Sequence, residues 1–486
     1  MLPSIRINKN LSFVLCMFSG LLCGLFLLSI LQMSLDSWLK AFSILTLGML
    51  AFQIIVMKLR GMRLISLSFA FVVLSYVFHF GQIVFVGLLP EYDFQAFNIV
   101  LRLDQEYLKL ASTFSLLVIS LVVAGLVLVD RSPVRHLSTS KGSYNTELCK
   151  SVGWVMVITT FPVQVYLDIL KASLGLEFGY LATFKTGLPG IVGDLGFLSY
   201  TGWALLILSY SAKKKTSLLI FAFVTTYLLF TMISGHRGHQ LTVIIFLFLL
   251  ISKSTLKLSW KRLFLLALVG FSLVSIVNAM FYFRQLDEKN VFQFLPLLFQ
   301  QIQLDPISEL IAEMGGTIKT PTLVIQQIPS YRGYGYGSTY FLSSISVIPN
   351  VGDLFSEINM SASFAKNIVG NALGGSYIGE LYYNFSFFGI PFALLVGLFV
   401  GAVSNKLDSL ISSGNFLAVG YYSSLSMYIL WWPRDSFQSI LRPWVWGAMI
   451  VFLLKLIIQQ LQGGARNHLA KDTHPLQFAG REDQIN

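Results

Sequence analysis

The chain has 486 residues, of which 55% are hydrophobic and only 12% charged, about half the roughly 25% charged share of an ordinary soluble domain. That deficit excludes a single soluble core, because apolar runs of about 18 or more residues recur along the whole length, the signal of repeated membrane crossing. The net charge of +11 does not point to nucleic acid: the Lys and Arg residues fall in short clusters between apolar runs, the pattern that orients a membrane protein, and not on one basic face.

In chain order the hydropathy predicts about twelve spanning runs, at 11–33, 39–57, 64–88, 107–129, 151–170, 195–211, 217–234, 239–252, 263–281, 378–403, 416–432 and 443–460. The first, Leu11 to Met33, has no small-residue cleavage pattern and reads as a retained signal-anchor helix. Arg6 and Lys9 precede it. Lys58, Arg60 and Arg63 follow the second run, Arg131, Arg135, Lys141 and Lys150 the fourth, Lys213, Lys214 and Lys215 the sixth, Lys253, Lys257, Lys261 and Arg262 the eighth, and Lys406 the tenth. In a twelve-span arrangement all of these share one side, which the positive-inside bias assigns to the cytoplasm together with both termini. The opposite side is unequal. Its connections are short except for the segment from Phe283 to Gly375, which holds amphipathic pieces at Val291 to Ile302 and Pro306 to Met314 and an aromatic, glycine-rich stretch from Tyr331 to Gly337. A long external segment of this kind is uncommon unless it is functional.

The expected fold class is thus an all-α polytopic membrane protein of about twelve transmembrane helices with one long external loop carrying short amphipathic helices. A single transmembrane domain covers 1–462, including the loop at 283–375, and a polar cytoplasmic tail at 463–486 is expected to be disordered. Cys16, Cys23 and Cys149 form neither a disulfide framework nor a metal-ligand spacing, and there is no phosphate-binding loop that would suggest ATP chemistry.

A charge in the middle of a span costs about 2.5–3.5 kcal/mol on insertion scales, so ionisable groups at the outer ends of the runs are the informative ones. They gather in three places. Ser234-Gly235-His236-Arg237-Gly238-His239 is a tight external turn with one Arg and two His. The Arg fork suits phosphate oxygens, and a His can act as a base near neutral pH. Gly374-Gly375-Ser376 enters the tenth run as a helix start with Ser376 as cap, and Ser376, Glu380 and Asn384 then share one helical face. A carboxylate there suits a general base or a group that holds a sugar hydroxyl. The third set is the external arginines Arg284, Arg332, Arg434 and Arg442, which the positive-inside bias makes costly for topology; Arg237, Arg284 and Arg434 each follow an apolar run at its outer end and could meet on one anionic group. His79, in the middle of the third run, reads as a satisfied core residue, and only the tyrosines at 331–340 read as a sugar-stacking platform.

Four stretches resemble the Wzy O-antigen polymerase family, in the same order: Ile233-Ser234-Gly235-His236-Arg237-Gly238, Glu313-Met314-Gly315-Gly316, the run from Tyr340 to Asn350, and the run from Leu373 to Phe385 containing Gly-Gly-Ser, Glu380 and Asn384. The resemblance is strongest over about residues 230–390. One departure concerns the arginines: some members carry Gly eleven residues after an external Arg, and Arg237, Arg284 and Arg332 do not, so no role is taken from that pattern.

The resemblance implies a membrane glycosyltransferase of the GT-C kind in the bacterial inner membrane. It would move a growing glycan from undecaprenyl pyrophosphate to a hydroxyl on a fresh lipid-linked repeat unit, using no nucleotide sugar, no metal and no cofactor. A chain-length-regulating co-polymerase of the Wzz type is an expected partner, beside the lipid bilayer itself. Such a reaction needs cations on the leaving pyrophosphate and a base for the acceptor hydroxyl. Arg237 is the first candidate for the pyrophosphate, helped by Arg284, Arg434 and Arg332. Glu380 is the first candidate for the base, with His236 and His239 as rivals, and Ser376, Tyr377 and Asn384 are candidates for holding the sugar. Two alternatives remain open at this point: an O-antigen ligase joining finished glycan to lipid A core, which would have similar topology, and a flippase for the same lipid-linked unit. Against the flippase, the chain lacks paired halves and its polar residues cluster at the outer ends rather than the midplane.

Overall fold

A computed structural model describes residues 7–89, 99–129, 142–178, 190–232, 237–256, 306–348 and 374–472, with a few isolated positions between them. The described residues form helices and no strand. The helices are α1 (Lys9–Ser29), α2 (Leu35–Arg60), α3 (Leu67–Leu88), α4 (Gln105–Val129), α5 (Gly142–Phe178), α6 (Gly190–Ser209), α7 (Lys214–Thr231), α8 (Arg237–Ser254), α9 (Pro306–Gly315), α10 (Lys319–Gln327), α11 (Ser338–Ile345), α12 (Tyr377–Phe385), α13 (Gly389–Ser412), α14 (Phe416–Trp431) and α15 (Gln438–Asp472). Eleven of the twelve expected runs coincide with these helices; the ninth, at 263–281, lies almost entirely outside the described residues, as does the amphipathic piece at 291–302. Among the described residues, eight helical segments are long and apolar enough to cross a membrane.

Burial sorts these segments into inner and outer ones. In α4 and α3, 78% and 67% of the apolar stretch is buried, against 28% in α1 and 22% in α15. The outer helices leave Phe18, Leu22 and Leu25 on α1 and Phe452, Leu453 and Leu461 on α15 exposed. Apolar stripes of that size do not face water in soluble proteins; against lipid tails they cost nothing. The protein is a multi-pass membrane protein.

Lipid tails are as apolar as Leu, so helix association inside the bilayer rests on close packing and interhelical hydrogen bonds. Both are present. α4 lies against α13 where Gly125 meets Gly397: a Cβ on Gly125 would sit 2.5 Å from the Leu394 carbonyl oxygen, and one on Gly397 would overlap the Val122 carbonyl. On the polar side, Tyr76 Oη of α3 donates to Gln53 Oε1 of α2 at 3.0 Å, and Gln53 Nε2 donates to Ser120 Oγ of α4 at 3.2 Å. One end of the bundle collects cations: Lys58 and Arg60 in the last turn of α2, which stops at Gly61 in the left-handed region (φ 86°), together with Arg63 and Lys253, both paired with Asp408.

At the opposite end the tenth run departs from the expected pattern. The tenth run, expected as one span from 378, is two helices. α12 ends at Phe385, Ser386 takes φ 54°, a 3-10 turn covers Ser386–Phe388, and α13 begins at Gly389, where a Cβ would lie 2.8 Å from the Leu381 carbonyl oxygen. The first turn of α13 therefore folds back against α12. Apolar content carries no record of such a break, which depends on one backbone torsion and one close approach. The last helix also runs past residue 462 to Asp472.

Candidate functional site

α12 is nine residues long and its polar face is wholly enclosed: Ser376, Glu380 and Asn384 are each 0% exposed. As the sequence suggested, Ser376 is its cap, with Oγ accepting from the N–H groups of Ile378 (3.2 Å) and Gly379 (3.4 Å). The two glycines before it are required by close approach. A Cβ on Gly374 would lie 3.0 Å from the Arg434 carbonyl oxygen and one on Gly375 2.9 Å from Ser436 N, because the segment after α14 crosses directly over them.

That crossing delivers a backbone donor to Glu380. Oε2 accepts from the Phe437 N–H at 2.8 Å, and Oε1 accepts from Thr339 Oγ1 of α11 at 2.8 Å. Asn384 Nδ2 donates to Thr339 Oγ1 (2.8 Å) and its Oδ1 accepts from the Gly337 N–H (3.0 Å). One carboxylate and one amide thus tie together α12, the start of α11 and the α14–α15 connection. A carboxylate has about four lone-pair positions; donors among the described residues use two of them, which leaves two for a further donor. Beside it, burial and the Glu380 carboxylate hold the Tyr340 phenol well above its ordinary pKa, so the phenol stays a neutral donor.

Replacing Thr339 by Val keeps the shape and removes the hydroxyl that serves both partners. Buried groups left without a partner cost about 1–3 kcal/mol each, so Thr339→Val is expected to lower the unfolding temperature in detergent and to cut chain extension. Unchanged values for both would show that the hydroxyl is dispensable.

On the other side of the cap, Ser376 Oγ meets His79 Nε2 at 2.8 Å, while His79 Nδ1 meets the Ser75 carbonyl oxygen at 2.9 Å. A carbonyl only accepts, so Nδ1 carries the proton, Nε2 accepts from the Ser376 hydroxyl, and the Ser376 lone pairs remain for the two helix N–H groups. His79 is the satisfied core residue expected, and its partner is a site residue. Tyr377 is buried as well, its hydroxyl donating to Ser75 Oγ at 3.4 Å and its ring packed on Phe71, His79 and Trp432.

The second motif reaches this place through Trp431. A Cβ on Gly238 would overlap the Trp431 ring, and the His239 ring lies 5.8 Å from it, stacked on Phe197 at 4.9 Å. The Arg434 guanidinium sits 5.8 Å over the same indole, and the aliphatic stem of Arg434 packs on Gly374. The start of α8, the end of α14 and the entry to α12 therefore converge on one end of the bundle, away from the Lys253–Asp408 pair.

A family model described as O-antigen polysaccharide polymerase Wzy matches residues 9–461. The chain belongs to this family. No curated protein and no solved structure matches it.

Within this Wzy-family chain the candidate residues divide three ways. Glu380, Ser376, Tyr377 and Asn384 share α12 and its cap, and Arg434 and His239 share the Trp431 ring. Arg332 is exposed in the turn before α11. That turn docks on α12 by the Gly335 N–H donating to the Tyr383 carbonyl at 2.9 Å, and Tyr331 and Tyr336 in it are 82% and 83% exposed. Arg442 is paired with Asp194 at 3.0 Å. His236, Arg284 and the side chain of Arg237 lie outside the described residues, as do the side chains of Glu309 and Glu313.

Sequence reasoning missed Thr339, the Phe437 N–H and Trp431. A threonine in a Gly-Ser-Thr stretch and a main-chain donor carry no compositional signal, and Trp431 reads as an interfacial anchor. It also passed over Asp168 and Asp194, although acidic residues in or bordering the apolar runs met the same criterion that singled out Glu380.

Proposed function

We propose that this chain extends a surface polysaccharide at the periplasmic face of the bacterial inner membrane, with both termini in the cytoplasm. The reading is carried by the enclosed Glu380 network, in a chain of the Wzy polymerase family, at the bundle end opposite the cationic one. In the proposed reaction an acceptor hydroxyl of the incoming lipid-linked repeat unit attacks the anomeric carbon of the growing glycan. The new C–O bond forms as the bond to undecaprenyl pyrophosphate breaks, and the electron pair leaves on the phosphate oxygen. The hydroxyl proton passes to the Glu380 carboxylate, whose fixed donors aim it without neutralising it. Arg434, held by Trp431 and Gly374, Arg237 at the start of α8 and Arg284 offset the charge that grows on the pyrophosphate. His236 and His239 are the rival bases, and the packing of the His239 ring among Phe197, Tyr428 and Trp431 suits a wall better than a base. The twelve-span topology, the GT-C architecture and a Wzz-type co-polymerase belong to the same proposal.

Purified protein in liposomes, supplied with the host's lipid-linked repeat unit, should make a ladder of lengthening glycans and release undecaprenyl pyrophosphate. Absence of any product longer than one unit would overturn the reading. In the same assay Arg237→Lys should lose about 10–100-fold in rate, the equivalent of one charge-assisted hydrogen bond, because a point charge cannot replace a bidentate fork. Wild-type rate in that variant would remove Arg237 from the pyrophosphate.

A further inference from the structure

A second polar feature lies at the same end of the bundle and is not used by the mechanism above. α5, α6, α7, α8 and α14 line a half-open pocket of about 250 Å³ whose walls include Asp168, Asp194, Phe197, Tyr200, Gln240 and Tyr428. A water's share of liquid volume is about 30 Å³, so the space holds several waters or one ring of sugar size.

Several of its polar groups have hydrogen-bonding capacity that the described residues do not use. Asp168 is 8% exposed, and both of its protein hydrogen bonds go to Oδ2, from Tyr227 Oη at 2.5 Å and Gln164 Nε2 at 2.9 Å. Oδ1 has no hydrogen-bond partner among the described residues. Tyr200 is 4% exposed, and its hydroxyl likewise has none among them. Buried polar groups are normally satisfied; Gln240 Oε1, which lines the same space, is buried without a hydrogen-bond partner among the described residues, and together with the Asp168 and Tyr200 oxygens it points to a ligand. The charges narrow its class. Asp194 is paired with Arg442 at 3.0 Å, and Lys171 lines the cavity with Asp168, so acidic and basic groups balance and neither a metal cation nor a phosphate is favoured. Carboxylate acceptors, a phenol that both donates and accepts, and the ring walls of Phe197 and Tyr428 suit a neutral body with many hydroxyls and an apolar face.

We infer that this cavity is a recognition pocket for a sugar residue of the lipid-linked glycan, and that it discriminates repeat units. The inference rests on the polymerase reading and names where that substrate is held. The pocket adjoins the reaction site through His239, which lines the cavity and packs on Trp431 beneath Arg434.

Two substitutions address the unpartnered atoms alone. Asp168→Asn retains a carbonyl oxygen for Tyr227 and Gln164 and turns the free position from acceptor to donor. Tyr200→Phe removes a hydroxyl that bonds to nothing in the described protein, so it should leave the unfolding temperature unchanged. Full-length protein in nanodiscs is titrated with the host's lipid-linked repeat unit and, separately, with bare undecaprenyl pyrophosphate. Wild type should prefer the glycan-bearing lipid, and each variant should lose about tenfold in affinity for it, close to 1.4 kcal/mol, with binding of the bare lipid unchanged. Variants that bind the glycan-bearing lipid as wild type does would overturn the pocket and leave the polymerase reading standing. A wild type with no preference for the glycan-bearing lipid would overturn both.

Discussion

Glu380→Gln is expected to abolish chain extension while the protein still reaches the membrane. The amide oxygen can accept from the Phe437 N–H as Oε2 does now. The amide nitrogen then faces Thr339 Oγ1, which already accepts from Asn384 Nδ2, so the Thr339 hydroxyl proton and the second amide N–H are both left without an acceptor among the described residues. That costs about 1–3 kcal/mol for each, of the order of the lower end of the 5–15 kcal/mol by which folded proteins are usually stable. The chemistry loses far more, because an amide cannot take the acceptor proton and a positioned base contributes about 10²–10⁴-fold. Full-length glycan on the host surface, at wild-type protein level, would remove Glu380 from the reaction. Loss of the protein from the membrane fraction would mean instead that the carboxylate is needed for the fold.

The second large effect is structural. α13 carries α12 at its start and packs along α4, and at Gly397 an added Cβ would overlap the Val122 carbonyl oxygen. The obstacle is backbone and cannot swing aside as a side chain would. Overpacking a well-filled interior costs about 1–3 kcal/mol when neighbours can yield, and here the two helices have to separate. Gly397→Leu should therefore reduce the membrane-fraction protein to a small fraction of wild type, with chain extension lost in parallel. The control is Gly48→Leu in α2, where an added Cβ meets nothing within 4 Å; that variant should behave as wild type. Equal protein levels in the two variants would show that the α4–α13 contact does not limit folding.

What the sequence made legible follows from what each feature requires. A span needs about 20 apolar residues and little else, so wherever the chain is described the runs from 11–33 to 443–460 each map onto one helix, except the tenth, which is split between α12 and α13. The Ser376 cap was legible because the Gly-Gly-Ser-to-helix signal is local, and so was the shared face of Glu380 and Asn384. The break at Ser386 was not, since it turns on a single torsion. Nor was the convergence of Gly238, Trp431, Arg434 and Gly374, four positions drawn from three separate parts of the chain that only packing brings together. The tyrosines at 331–340 read as a sugar-stacking platform; the docking of Gly335 on Tyr383 through a main-chain hydrogen bond leaves no trace in the side chains. Asp168 was legible in principle, as a carboxylate within an apolar run, and its meaning emerged only when both protein donors were seen to fall on one oxygen.

The most direct test of the central claim is a gel of the lipopolysaccharide from a host in which this gene is deleted. If the chain is the polymerase, export and ligation continue without it, and the core carries a single repeat unit; wild-type protein supplied in trans then restores the ladder. A core with no repeat unit at all would contradict the account and assign the chain to ligation or to transport of the lipid-linked unit.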